Sequence, residues 1–204
     1  MGYQIITIER EFASGGSQIG QLLSDRLGIP VYGREILEKA AEKWHVTPEH
    51  IEHLEESSTN SLLYSLVAMG RSSTGQPTGL SSSDALSLTE ASIIRELAAE
   101  GKCIFVGRCA GWVLRERKDT LRVFIRADEE HRLERAISQY QLPPEIAKKT
   151  MRQIDRRRAN FYHANTGLLW QERSGYHMVL DSGLLGPGLC AQIIGCAAGH
   201  GKLL

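Results

Sequence analysis

The sequence predicts an α/β fold built on a parallel, doubly wound sheet, and three observations carry that expectation. Residues 3–9 form a near-continuous β-branched run, the pattern of a strand buried on both faces. A helix-period repeat follows directly, and further short apolar runs then alternate with helical patterns along the chain. Strands alternating with helices make right-handed crossovers and a parallel sheet, whose ligands sit at the carboxyl ends of the strands.

Taken in order, Tyr3 to Glu9 reads as the first strand. Ile19, Leu22, Leu23 and Leu27 then repeat at helical spacing until Gly28 stops the helix. Ile29 to Tyr32 is a short second strand. Ile36, Leu37, Ala40, Ala41 and Trp44 mark the next helix, and Thr47-Pro48-Glu49 has the cap and first-turn proline of another. Ser72 to Asp84 is rich in Ser, Gly, Thr and Pro, which predicts a mobile loop. A helix with Leu86, Ile93, Ile94 and Leu97 runs to about Gly101. Strands follow at Cys103–Val106 and Leu121–Arg126. Asp128 starts a helix with Leu133, Ala136 and Ile137 inward, and Pro143-Pro144-Glu145 opens a long basic helix. His177–Leu180 is the fifth strand, and Leu189–Ala198 the closing helix.

Composition narrows the function classes. The 204 residues are 42% hydrophobic and 24% charged, ordinary for a globular domain. Lys plus Arg equals Asp plus Glu at 24 each, so no net field draws nucleic acid or an anionic membrane. Any phosphate ligand needs a local cluster. No run approaches the roughly 18 apolar residues of a transmembrane helix, and the first strand starts almost at Met1, so a cytoplasmic protein is expected. Cys103, Cys109, Cys190 and Cys196 form no C-x-x-C pair, and the seven histidines show no ligand-like repeat. Reduced thiols and no zinc site are expected.

The candidate chemistry begins at Thr7–Gly20, TIEREFASGGSQIG. Against the phosphate-loop pattern G-x-x-x-x-G-K-[ST], the window Arg10–Ser17 keeps the second glycine, Gly15, and the hydroxyl, Ser17. Arg10 stands for the first glycine and Gly16 for the lysine. A strand, a glycine turn and a helix N-terminus still converge backbone N–H groups on one spot, which suits an anion. Arg10 is the nearest cation to replace the lysine; pairing with Glu9 or Glu11 on the surface is the competing reading. A dinucleotide-binding loop is disfavoured, because SGGSQIG lacks G-x-G-x-x-G and the second strand ends in Tyr32-Gly33-Arg34.

Basic residues gather at the other strand ends. Arg108 follows the third strand, where it could clamp a phosphate or simply be solvated. Arg132 and Arg135 share a helix face, and Arg152, Arg156, Arg157 and Arg158 lie within seven residues. Such a run is either a solvated face or a set of arginines that closes over phosphates.

The segments EREFASGGSQIG, GIPVYGREIL, FVGRCAGWVL, VFIRADEEHRLERAI, DRRRANFYH and YHMVLDSGLLG, in this order, resemble the cytidylate kinase-like family. The resemblance covers nearly the whole chain, residues 1–204 as one domain. It implies a three-layer P-loop NTPase fold with a five-stranded parallel sheet. A helical insert binding a nucleoside monophosphate (NMP) would fall at about 34–100, and a lid at about 135–175. The same resemblance implies an ATP-dependent NMP kinase with Mg²⁺. ATP phosphates would lie on Ser14, Gly15, Gly16, Ser17 and Gln18, with Ser17 as Mg²⁺ ligand. Arg108 would grip the acceptor phosphate, Arg132, Arg156 and Arg158 would act in catalysis, and Asp181 and Ser182 would lie near adenine; Arg10 joins the catalytic set from the loop's own pattern, as the substitute for the lysine. Two positions depart from the pattern of the true cytidylate kinases: the loop lysine is absent, and Cys109 stands where an aspartate contacts the acceptor nucleotide. A regulatory nucleotide-binding module and a kinase for another small phosphate acceptor stay open, as does a homodimer.

Overall fold

The computed structural model describes residues 2–50 and 82–199. Five strands form one all-parallel sheet in the order β2-β3-β1-β4-β5. They are β1 (Ile5–Arg10), β2 (Val31–Tyr32), β3 (Cys103–Val106), β4 (Thr120–Arg126) and β5 (Met178–Asp181). The helices are α1 (Gly16–Leu27), α2 (Arg34–Trp44), α3 (Ser82–Glu100), α4 (Ala110–Val113), α5 (Glu129–Ser138), α6 (Pro144–Thr166) and α7 (Ser182–Ala197).

Alternation along β1 divides the core. Ile6 and Ile8 join Ile104, Val106, Val123 and Ile125 under α1 and α7, where Ile19, Leu23 and Ile194 pack. Ile5 turns the other way with Cys103 and Phe105, against Ile36, Leu37 and Ala40 of α2 and Ile93, Ile94 and Leu97 of α3. Three layers result, as a parallel sheet apolar on both faces requires. A third cluster seats α5 and α6 against Phe12 and Ala13, just beyond β1. The second half of α6 reaches Phe124 of β4 through Tyr162, with Trp170 alongside.

The local signals act as their chemistry requires. Gly28 ends α1 at φ 64°, its N–H bonded to Ser24 O at 2.9 Å. Thr47 Oγ1 accepts from His50 N, and Asp128 Oδ1 accepts from His131 N at 3.0 Å to cap α5. Strand ends shift from expectation by one or two residues, and two boundaries differ by more. Residues 82–84 open α3 instead of closing a loop, and the rest of the expected mobile loop, 72–81, lies outside the described residues. The closing helix starts at Ser182, not Leu189, because the Asp181 carboxylate accepts from Gly183 N and Leu184 N. Gly186, at φ 75° and ψ 154°, then breaks the helix beside Pro187, which hides its first turn from a periodicity reading.

Because every strand is parallel, the segments following β1, β3, β4 and β5 all emerge on one edge. β1 is central there, with Ile8 opposite Val106 and Arg10 opposite Ile125. Ile8 is fully buried between α1 and α7 and the neighbouring strands. Ile8→Ala is expected to lower stability by about 2–5 kcal/mol through lost burial and a residual cavity, measured by chemical denaturation.

Candidate functional site

At the carboxyl edge, β1 passes into a tight loop before α1. Ser14 N bonds Glu11 O at 3.3 Å, while Ala13 and Gly15 take left-handed backbone, φ 57° and 79°. Five successive carbonyls of this loop are occupied. Arg158 Nη1 donates to Arg10 O at 2.9 Å, Ser14 Oγ to Glu11 O at 2.8 Å, and Arg132 Nε to Phe12 O at 2.8 Å. Arg135 Nη1 reaches Ala13 O at 3.5 Å, and Ser182 Oγ donates to Ser14 O. The amide side is left open. The first bond inside α1 runs from Ile19 N to Gly15 O, so the amides of Gly16, Ser17 and Gln18 precede the helical ladder. Ser17 and Gln18 are exposed, and Ser14 is buried. An oriented set of donors at the positive end of a helix dipole is an anion-binding arrangement.

Arg10 explains the missing lysine. A Cβ built on Gly16 would stand 2.5 Å from Arg10 Cβ and 2.7 Å from its Cγ, closer than real side chains approach. The arginine stem fills the space in which any side chain at position 16 would begin. Its head goes further, toward the end of β3: a Cβ on Gly107 would meet Arg10 Cζ at 3.2 Å. Gly107 sits at φ 81°, so glycine serves there in both backbone and space. Arg10 Nε is buried without a hydrogen-bond partner. Burial lowers the pKa of Arg10, opposed by Glu9. Burial likewise pushes Arg158 down to about 9, with the charge of Arg10 adding to the effect. Two half-buried guanidinium groups thus lie close together beside the loop.

Arg108 and Cys109 both adopt positive φ just after Gly107. Arg108 Nη1 lies 3.2 Å from Glu90 Oε1 of α3, a carboxylate only 3% exposed. Burial pushes Glu90 up to about 8; the guanidinium beside it acts in the opposite sense. Glu9 is also buried and raised by burial, and accepts from Trp170 Nε1 at 3.2 Å. The sequence offered Glu9 only as a surface partner of Arg10, whereas it is buried, and it did not single out Glu90 or Trp170. Glu90 and Trp170 belong to segments with no motif, and they reach the site only through folding.

The remaining expected residues separate into distinct surroundings. Arg132 is spent on Phe12 O, Glu11 and Asp155. Asp155 also accepts from Phe12 N at 2.7 Å, so α6 and α5 together hold both polar groups of that residue. Arg156 is exposed and lines a groove of about 460 Å³ with Leu169, Trp170 and Glu172. Asp181 caps α7 and pairs with Arg126 at 3.4 Å. Ser182, 1% exposed, anchors Ser14. Arg10, Arg132, Arg158, Ser182 and the loop are therefore brought together, whereas Arg156 faces the groove. Among the described residues, no three or more His, Cys, Asp or Glu side chains group to hold a metal ion. No described helix is long and apolar enough to cross a membrane.

A model of the cytidylate kinase-like family matches residues 5–184. No curated protein matches. Among solved structures, an uncharacterised protein from Eubacterium ventriosum is similar at TM-score 0.71 and 19% identity, covering 96% of this chain and 98% of that one. A shikimate kinase from Acinetobacter baumannii, in complex with shikimate, is similar at TM-score 0.52 and 12% identity, covering 98% and 96%. A gluconokinase from Sinorhizobium meliloti gives TM-score 0.51 and 14% identity, covering 95% and 94%. The fold is that of the P-loop kinases.

Restoring the loop motif by Gly16→Lys is expected to damage the site. The new Cβ would collide with Arg10, costing about 1–3 kcal/mol as overpacking. Thermal unfolding and ATP titration of the variant should show lower stability and no gain in affinity.

Proposed function

The chain belongs to the cytidylate kinase-like family, and from that premise we propose that it is an ATP-dependent kinase acting on a nucleoside monophosphate. One observation carries the reading. The five loop carbonyls from Arg10 to Ser14 are all capped, while the amides entering α1 remain available to a phosphate chain.

In this reading Ser14, Gly15, Gly16, Ser17 and Gln18 cradle the donor phosphates. The exposed Ser17 hydroxyl suits one ligand position of Mg²⁺, which keeps waters and phosphate oxygens for the rest. Mg²⁺ supplies charge neutralisation across the donor phosphates when bound. Arg108 fixes the acceptor phosphate, exchanging its contact with Glu90 for the ligand. Arg10, Arg156 and Arg158 supply positive charge to the migrating group. Arg132 is a positioning residue, acting through Phe12 O and Asp155. Asp181 and Ser182 border the donor base and hold the loop from the β5 side.

An oxygen of the acceptor phosphate bonds to the γ-phosphorus as the bond to the β,γ-bridging oxygen breaks, giving ADP and a nucleoside diphosphate. The attacking oxygen is already anionic, so no general base is needed, and catalysis is positioning plus charge neutralisation. The lid at about 135–175 closes with α6, on which Arg156 and Arg158 ride.

The test is purified protein with ATP, Mg²⁺ and a panel of nucleoside monophosphates, with products separated by ion-exchange chromatography. A diphosphate from at least one acceptor is expected, with Arg158→Ala lowering kcat about 10²–10³-fold. ATP binding without any diphosphate product would refute phosphoryl transfer and leave a nucleotide-binding module.

A further inference from the structure

A lysine in a phosphate loop reaches the donor's β and γ phosphates. Arg10 takes that lysine's space but not its direction. Its Cβ and Cγ lie against Gly16, on the donor side, and its guanidinium carbon lies against Gly107, at the end of β3. The next residue is Arg108. Gly107 therefore has the Arg10 guanidinium packed on it and Arg108 joined to it, with the Arg108 head reaching Glu90 of α3 at 3.2 Å.

Three further observations bear on what this arrangement binds. Arg10 Nε is buried without an acceptor. Glu9, the carboxylate whose charge acts on Arg10, accepts from Trp170 Nε1 and the Cys109 backbone N–H. The guanidinium of Arg158 also lies beside Arg10, donating to its carbonyl and adding positive charge. A different arginine, Arg135, covers the donor side: a Cβ on Gly15 would meet its Nη1 at 2.5 Å. The loop glycine and the β3 glycine are thus served by separate cations.

We propose that Arg10 belongs to the acceptor half of the site, where its guanidinium, packed on Gly107, and that of Arg108, exchanging Glu90 for the ligand, together hold the acceptor's phosphomonoester. This rests on the phosphotransfer reading but sharpens it. The group held there is an anion, because planar forks pair bidentately with phosphate or carboxylate oxygens, and within the phosphotransfer reading that anion is the acceptor's phosphate. Donor binding is left to the amides of α1 and to Arg135.

The experiment is calorimetric titration with CMP, inorganic phosphate, cytidine and Mg²⁺·ATP, each alone, against the unmodified protein and Arg10→Met. Methionine keeps most of the stem beside Gly16 and removes the fork. CMP and phosphate affinity should fall at least tenfold, with Mg²⁺·ATP affinity changing less than threefold. Cytidine should bind the two proteins equally. A tenfold loss of ATP affinity with CMP unaffected would make Arg10 the donor's cation and overturn the proposal. Equal losses, no loss, or failure of the unmodified protein to bind either CMP or phosphate would overturn it as well. Arg10→Lys, which keeps charge and stem, provides the same comparison if Arg10→Met unfolds, and circular dichroism reports that. Binding is read without turnover, so loss of kinase activity in the unmodified protein would refute the reaction without deciding this assignment.

Discussion

The Arg10 side chain crosses from α1 to β3, and it can do so only because positions 16 and 107 lack a Cβ. That steric constraint links three features that look unrelated in sequence: the absent lysine, the glycine after β3 and the arginine before the loop. A lysine at 16 and an arginine at 10 cannot share the space. The site thus exchanges a flexible ammonium for a half-buried guanidinium whose stem is fixed by packing. A fixed fork loses less conformational freedom per hydrogen bond than a swinging lysine does, so positive charge is in place before ligand arrives.

The loop that Arg10 starts is held from outside by α5, α6 and α7. Arginine-to-carbonyl bonds at Arg10, Phe12 and Ala13 are charge-assisted, with typical worth of about 1.5–3 kcal/mol each for good geometry; the long Arg135 contact falls below that. Ser182 pins Ser14 from the β5 side. Asp155 takes Phe12 N and Arg132 together, so a shift of α6 would disturb the loop's entry and its guanidinium support at once. The position of α6 and the geometry of the loop are therefore mechanically connected.

The fold was legible because its signals are local. The β-branched run of β1, the Gly28 stop and the Asp128 cap each act within a few residues. The strand ends could be placed from them, and with them the edge on which a ligand would sit. Where local chemistry is ambiguous, legibility ended. Gly186-Pro187 concealed the first turn of α7, and residues 82–84 read as loop because serine and aspartate favour turns as well as helix starts. The candidate site was half legible. Gly15, Ser17 and the arginines could be picked out, but nothing in their spacing told a phosphate clamp from a carbonyl clamp. Arg132 proved to be tied to Phe12 and Asp155, and Arg156 to face a groove. Glu90 and Trp170 gave no signal, because burial, which only the fold creates, is what makes a carboxylate or an indole part of the site.

The central claim is that the loop's amides take the donor phosphates while Arg10 faces the acceptor. A crystal structure with ADP and CMP bound together tests it most directly. The account predicts the ADP β-phosphate on the amides of Gly16, Ser17 and Gln18, and the CMP phosphate between Arg10 and Arg108. An ADP phosphate on the Arg10 guanidinium, or a nucleotide bound away from the α1 N-terminus, would contradict it.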